Sequence, residues 1–352
     1  MARTPDPHAI CHAFDLGRPI GPMQPVGGGL SQRMWRLETT TGVYAIKRFN
    51  RDFENPDYVP SIERAFLLER RAFEAGITMP RPVPNPATGR CVAELPDDPD
   101  KPSTVRVHEW VEGRLPQPGD DWAALTRAAA AIMARIHALD LQAAKPSPKA
   151  LAAVAVQPDW PELLDRARAI GAAWAGELAA VLPVIDALDE IVRIGRLRED
   201  RLIMCHRDID AKNVLVTPDG GILLVDWDAA GPVSPRMEAT FGAFTWAGAH
   251  DDAIDAHEHR INVPMLGAFF AGYRAAGGAG FRVERADFAE MLQVMMQWYR
   301  FNVRRALGER LNDADDRTLG EGIARQGFRS LRRYHDCLDT WVRIANDAMA
   351  AE

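Results

Sequence analysis

The period of the hydrophobic pattern changes once along this chain, near residue 110, and that change constrains the fold more than any composition figure. Before it, short β-like runs alternate with turn residues; from residue 121 onward, long Ala/Leu-rich segments repeat at helical spacing. Strands gathered in one part and helices in the other predict an α+β architecture, with a small, mainly antiparallel β unit over 1–110 and a larger helical unit over 111–352. The length of 352 residues agrees, because a domain of about 150 residues is typical and each part is long enough to bury a core.

In the first part, Met23 to Val26 leads into the triple glycine Gly27-Gly28-Gly29. The β-like runs Arg33 to Glu38 and Val43 to Phe49 follow, joined at Thr41-Gly42, so the pattern is a glycine-rich loop and then a hairpin. Ser61 to Ala75 has helical spacing, with Ile62, Phe66, Glu69 and Phe73 on one face and Gly76 as terminator. A carboxylate therefore interrupts an otherwise apolar stripe. Pro80, Pro82, Pro84 and Pro86 keep the chain extended, and Thr104 to Val111 reads as a strand. In the second part, Asp121 to Leu139 is an amphipathic helix and Trp160 to Arg198 supplies one or two more. The helical pattern then breaks into a polar segment, His206 to Asn213, and two short strands, Val214 to Val216 and Ile222 to Val225, around the turn Pro218-Asp219-Gly220-Gly221.

This break, CHRDIDAKNVLVTPDGGILLVDWD at residues 205 to 228, carries the chemistry. Phosphoryl transfer from a nucleotide needs a carboxylate that accepts a hydrogen bond from the attacking hydroxyl, and hard oxygen ligands that hold Mg²⁺ against the phosphates. His206-Arg207-Asp208-x-x-x-x-Asn213 matches the catalytic-loop signature H-R-D-x-x-x-x-N, and Asp226 stands where the aspartate of a D-F-G motif would. Singly, each of these residues is an ordinary turn former or strand-end carboxylate. Spaced jointly around two strands, they are a specific signal. His206 reads as a residue that shapes the loop, because Asp208 already supplies the base.

A site of this kind also needs a strand lysine for the α- and β-phosphates and a helix glutamate to position it. In Tyr44-Ala45-Ile46-Lys47-Arg48, alternation puts Ala45 and Lys47 on one face, so the ammonium and a small residue that admits adenine line one cleft. Glu69, on the inward stripe of the following helix, is the expected partner of Lys47, since an unpaired carboxylate there would be costly; Glu63, offset from the stripe, is the alternative. The backbone N–H groups of Gly28 and Gly29 and the Ser31 hydroxyl are placed to cover the phosphates. No G-x-x-x-x-G-K-[ST] occurs, which excludes a P-loop as the source of nucleotide binding.

On these residues the chain resembles the aminoglycoside phosphotransferase family, a branch of the protein-kinase-like fold that also includes choline and homoserine kinases. The resemblance runs from about Val26 to Asp228. It implies a bilobal protein-kinase-like fold with ATP bound between the lobes, Asp208 as catalytic base, Asn213 and Asp226 on Mg²⁺, and Lys47 on the phosphates. It also implies that Glu109-Trp110-Val111-Glu112-Gly113 is the hinge, with main-chain groups of Glu109 and Val111 on adenine. The reaction implied is transfer of the γ-phosphoryl group of ATP to a hydroxyl of a small molecule. An aminoglycoside or related antibiotic is the first reading of that acceptor, and a metabolic substrate such as an amino sugar, choline, ethanolamine or homoserine is the alternative. A protein kinase or a non-catalytic nucleotide-binding scaffold ranks third. Arg207 is shared with regulated protein kinases, but no glycine stands two residues after Asp226 and no Ala-Pro-Glu follows at activation-segment distance. Without a long activation segment there is no peptide platform, which favours a small substrate. Asp228 takes the place of that glycine and is expected to touch metal or substrate.

Composition sets the exclusions. Lys plus Arg at 42 against Asp plus Glu at 49 gives a net charge of −7, and no Lys/Arg block of five or more occurs, so a nucleic-acid partner is not expected. The mild acidity suits a cationic substrate. Asp251, Asp255 and Glu258 share one helical face and could hold its amino group, although a solvated helix face is the commoner account of such a run. Cys11, Cys91, Cys205 and Cys337 form no C-x-x-C pair, as in a reducing compartment. With no leader pattern and no apolar run of membrane length, the expectation is a cytoplasmic protein, monomeric or homodimeric, with no membrane partner.

Overall fold

The computed structural model describes residues 4–27, 33–49, 58–96, 103–143, 159–198, 201–248, 261–309 and 315–350. The chain divides into two units, Met1–Gln117 with His206–Gly231, and Pro118–Cys205 with Pro232–Glu352. The segment 206–231, expected in the helical unit, instead folds with the strands. Backbone hydrogen bonds explain why: Val216 and Arg114 exchange theirs at 2.7 and 3.0 Å, and Leu224 N–H donates to the Thr78 carbonyl at 3.0 Å.

The first unit opens with helix α1 (Pro7–Phe14), whose N-cap Asp6 accepts the His8 N–H at 2.9 Å with Pro7 in the first turn. Its sheet contains β1 (Gln24–Val26), β2 (Arg33–Thr39), β3 (Gly42–Phe49), β4 (Pro82–Val83), β5 (Val92–Leu95) and β6 (Ser103–Glu109). The order is β1-β2-β3-β6-β4, with β5 also on β6, and every described pairing is antiparallel. Alternation then sorts the side chains. Tyr44, Ile46, Val105 and Val107 join Trp35 and Leu37 in an apolar core with Ile10 and Phe14 of α1. Their neighbours Lys47, Arg106 and His108 therefore point to the opposite face, where helix α2 (Tyr58–Glu74) lies. Ile62 and Phe66 of α2 pack there with Phe49 and Val92. The expected stripe is right for Ile62, Phe66 and Glu69, which are buried, but Phe73 is 38% exposed and Ala72 takes the inward place. A helix turns by 100° per residue, so a stripe extended at i+4 and i+7 drifts off a narrow contact by its third turn.

The second unit is built from α3 (Trp122–Ala138), α4 (Trp160–Ala169), α5 (Ala175–Leu197), α6 (Pro235–Gly248), α7 (Val263–Ala275), α8 (Ala289–Ala306) and α9 (Asp315–Ala350). Asp121 caps α3 by accepting the Ala124 N–H at 2.9 Å. Helices α3 and α7 approach closely at Gly272, where a Cβ would lie 2.4 Å from the Arg127 carbonyl oxygen. Beside that contact, His137 joins the Tyr273 hydroxyl at 2.7 Å and the Glu238 carboxylate at 2.5 Å. Among the described residues, no helix is long and apolar enough to cross a membrane.

Candidate active site

The hairpin of β8 (Val214–Val216) and β9 (Ile222–Leu224) sets the site, because it fixes what lies at its open end. Val225 N–H donates to the Asn213 carbonyl at 2.9 Å, so Asn213 leaves one strand where Asp226 leaves the other. Asn213 closes a short 3-10 turn, Ala211–Asn213, whose N-cap Asp210 accepts the Lys212 N–H at 2.6 Å. The Asn213 amide nitrogen donates to the Asp208 carboxylate at 2.8 Å and to the Asp208 carbonyl at 2.9 Å, which fixes that carboxylate and turns the amide oxygen the other way. The second Asp208 oxygen lies 3.2 Å from the Lys212 ammonium, which also meets Asp210 at 3.0 Å. Burial would lower the Lys212 pKa, but Asp208 and Asp210 outweigh it and raise it above the usual lysine value. His206 is wholly buried, accepts the Asp208 N–H at 3.3 Å through Nδ1, and packs edge-on against Trp227. The first of these contacts lies within the loop that His206 is expected to shape.

Two non-glycine residues here hold left-handed backbone, Arg207 at φ 67° and Asp226 at φ 62°. Each such residue costs about 1 kcal/mol or more, and Asp226 directly follows Val225, which is bonded to Asn213 across the hairpin.

Lys47 shows the largest departure from expectation. Its ammonium lies 2.8 Å from Asp226 and 2.5 Å from Asp228, and it does not pair with Glu69 or Glu63. Glu63 instead accepts from Arg90 Nε at 3.2 Å and from the Cys91 N–H at 3.3 Å. Glu69, fully buried, pairs with the Arg106 guanidinium and with His108 Nε2 at 2.8 Å. Arg106 sits directly across from Lys47 on the neighbouring strand, on the same face, and it is Arg106 that takes the carboxylate. The other arm of Arg106 reaches Asp228 at 2.7 Å, and its guanidinium also lies 5.9 Å from the Phe66 ring centroid. Asp228 thus pairs with both Lys47 and Arg106.

Charge is balanced accordingly. Burial alone would lower the Lys47 pKa, but Asp228 and Asp226 overcome it and hold the ammonium above its ordinary value. Burial would raise Asp228, but Lys47 and Arg106 bring it down to about 2. His108 is pushed down to about 3 by burial and by the Arg106 charge, so it is a neutral ring whose Nε2–H donates to Glu69. Arg106, His108 and Lys212 are the residues that sequence reasoning did not single out. Arg106 and His108 had a signal: two titratable side chains two apart inside a strand, sharing the face of Lys47.

At the proposed hinge, Glu109 ends β6, its N–H donating to the Arg81 carbonyl at 2.9 Å and its carboxylate meeting Arg81 Nη2 at 2.5 Å, while Trp110 N–H donates to Val43 at 2.9 Å. Val111 follows outside the sheet. Gly28, Gly29 and Ser31, and likewise Asp251, Asp255 and Glu258, lie outside the described residues.

Residues 22–286 match the model of the phosphotransferase enzyme family. Among solved structures, spectinomycin phosphotransferase APH(9)-Ia, in complex with ADP and spectinomycin, aligns at a TM-score of 0.58 and 15% identity, covering 90% of this chain and 94% of that one. Amicoumacin kinase hAmiN, in complex with AMP-PNP, Ca²⁺ and Ami, aligns at 0.60 and 16%, covering 91% and 92%. Choline kinase LicA from Streptococcus pneumoniae aligns at 0.55 and 14%, covering 91% and 98%. No curated protein sequence matches. At these identities the likeness establishes a shared protein-kinase-like fold.

Proposed function

Starting from a chain that belongs to the phosphotransferase enzyme family and acts as a small-molecule phosphotransferase, we propose that it transfers the γ-phosphoryl group of ATP to a hydroxyl of an amino-bearing small molecule, an aminoglycoside or related antibiotic before an amino alcohol. One observation carries the reading: a half-buried carboxylate, Asp208, is held by the Asn213 amide at the open end of the hairpin from which Asp226 also emerges. Asp208 accepts the hydrogen bond of the attacking hydroxyl and aims its oxygen at the phosphoryl group. Lys47, kept charged by its carboxylates, binds the nucleotide phosphates. Arg207 and Asp226 keep the two loops in strained but fixed positions.

The donor set also fits a divalent cation. Asn213 spends its amide nitrogen on Asp208 and so presents an oxygen, and the Asp226 carboxylate is 43% exposed; both are hard oxygen donors, and no thiol is among them. Asn213 and Asp226 would hold Mg²⁺, which when bound neutralises phosphate charge and orients the γ-phosphoryl group. The likeness to kinases in complex with spectinomycin and with amicoumacin supports the antibiotic reading. The likeness to choline kinase supports the amino-alcohol one.

The test is a thermal-shift screen with Mg·ATP against aminoglycosides, amino sugars and amino alcohols, followed by ADP release on the hits. Asp208→Ala is expected to lower turnover by about 10²–10⁴-fold or more while leaving ATP binding nearly intact. Turnover retained in that variant would overturn Asp208 as the base.

A further inference from the structure

We infer that Asp228, tied to helix α2 through the buried fork of Arg106, is the residue that positions Lys47, in place of a direct contact from the helix glutamate; the inference rests on the phosphotransferase reading above. Lys47 and Arg106 are direct cross-strand partners on β3 and β6. Two like charges in register repel each other unless an anion is shared between them. Asp228 is that anion: one oxygen lies 2.5 Å from the lysine ammonium, and the other lies 2.7 Å from Arg106 Nη1. The remaining arm of Arg106 holds one oxygen of Glu69, and His108 holds the other at 2.8 Å. Both carboxylate oxygens of Glu69 are therefore committed, and its influence on Lys47 passes through Arg106 and Asp228. A planar guanidinium suits this task, since it spans two carboxylates in fixed directions, where a lysine could serve only as a point charge.

Exposure separates the two aspartates on Lys47. The Asp226 side chain is 43% exposed and that of Asp228 11%. When phosphate approaches Lys47, Asp226 is the partner that solvent can repay for release, whereas Asp228 would be left as a buried charge. Asp228 therefore keeps the lysine in place and Asp226 lets it go. The 3-10 turn Trp227–Ala229 that carries Asp228 packs on α2, so the anchor is in direct contact with the helix.

The experiment is a double-mutant cycle on ATP affinity, read by calorimetry on the full chain, with melting temperatures for every variant. Asp228→Asn is expected to weaken ATP binding about 30-fold or more, as Lys47→Met does, and to add almost nothing in the Lys47→Met background. Glu69→Gln is expected to lower the melting temperature while changing ATP affinity less than about threefold. Equal loss of affinity in Glu69→Gln and Asp228→Asn, or an Asp228→Asn effect that persists without the lysine, would overturn the inference. Should Asp228→Asn not fold, a crystal structure of the unmodified protein with AMP-PNP decides: Lys47 on Asp228 with Glu69 on Arg106 supports it, and Lys47 on Glu69 overturns it. An unmodified protein that binds no ATP overturns the nucleotide reading itself, and the inference with it.

Discussion

At residue 106 an arginine is buried almost completely, and its two arms settle where two carboxylates go. The sequence makes clear that Glu69 on an apolar stripe needs a cationic partner, but not which one. Helix spacing fixes the face of Glu69, and strand alternation puts Lys47 and Arg106 alike on the facing side; only the folded structure pairs Glu69 with Arg106. His108 belongs to the same cluster and carries a pH consequence. Burial and the Arg106 charge hold its folded pKa at about 3, below the unfolded value of about 6.5, so below about pH 6.5 the unfolded chain binds a proton that the folded one refuses. Stability is therefore expected to fall as pH drops from about 6.5 toward 3, and Asp228, held at about 2, adds loss in the same direction below about pH 4. Melting curves of the parent and of His108→Gln between pH 8 and 4 check this. The variant should flatten the slope between pH 6.5 and 5, and an unchanged slope would rule out His108 as its source.

At the scale of elements, strong local patterns were legible almost residue by residue. The strand Val214–Val216, the hairpin turn at Thr41-Gly42 and a helix starting near Asp121 follow from turn chemistry and spacing alone. Helix α1 and strand β5 escaped, because eight and four residues are too short to display a period, and each is held by the core it joins. The helix contacts were equally hidden. Gly272 has ordinary helical surroundings in the sequence, yet it lets the α7 backbone touch that of α3 at Arg127. Gly272→Ala would press a methyl group against backbone that cannot retreat, and is expected to cost about 1–3 kcal/mol despite the better helix propensity of alanine. Denaturant unfolding measures it, and a stabilised variant would mean that the two helices separate freely.

For the whole molecule, Cys11, Cys91 and Cys205 are buried and Cys337 is partly exposed, all as free thiols. Burial, with Glu63 nearby, pushes the Cys91 thiol well up, so it is inert as well as hidden. An aromatic disulfide reagent is expected to titrate about one thiol quickly in the native protein and about four after denaturation; rapid reaction of three or more would contradict the packing around α1 and β7 (Ile203–Cys205). Residues 206–231 illustrate the limit of reading along the chain. They follow the helices in sequence but bond to Thr78 and Arg114 of the first unit, a long-range pairing that no local pattern encodes. What the sequence by itself carried is the motif: the short spacing of Asp208, Asn213 and Asp226, with the strand lysine Lys47 before them, pointed to a phosphotransferase, and the family match agrees. What only the tertiary structure decided is which charges meet. Lys47 with Asp228, and Glu69 with Arg106, are set by how the sheet, the helix and the turn at Asp228 pack and by the need to neutralise every buried charge at once, and both conditions exist only after the chain has folded.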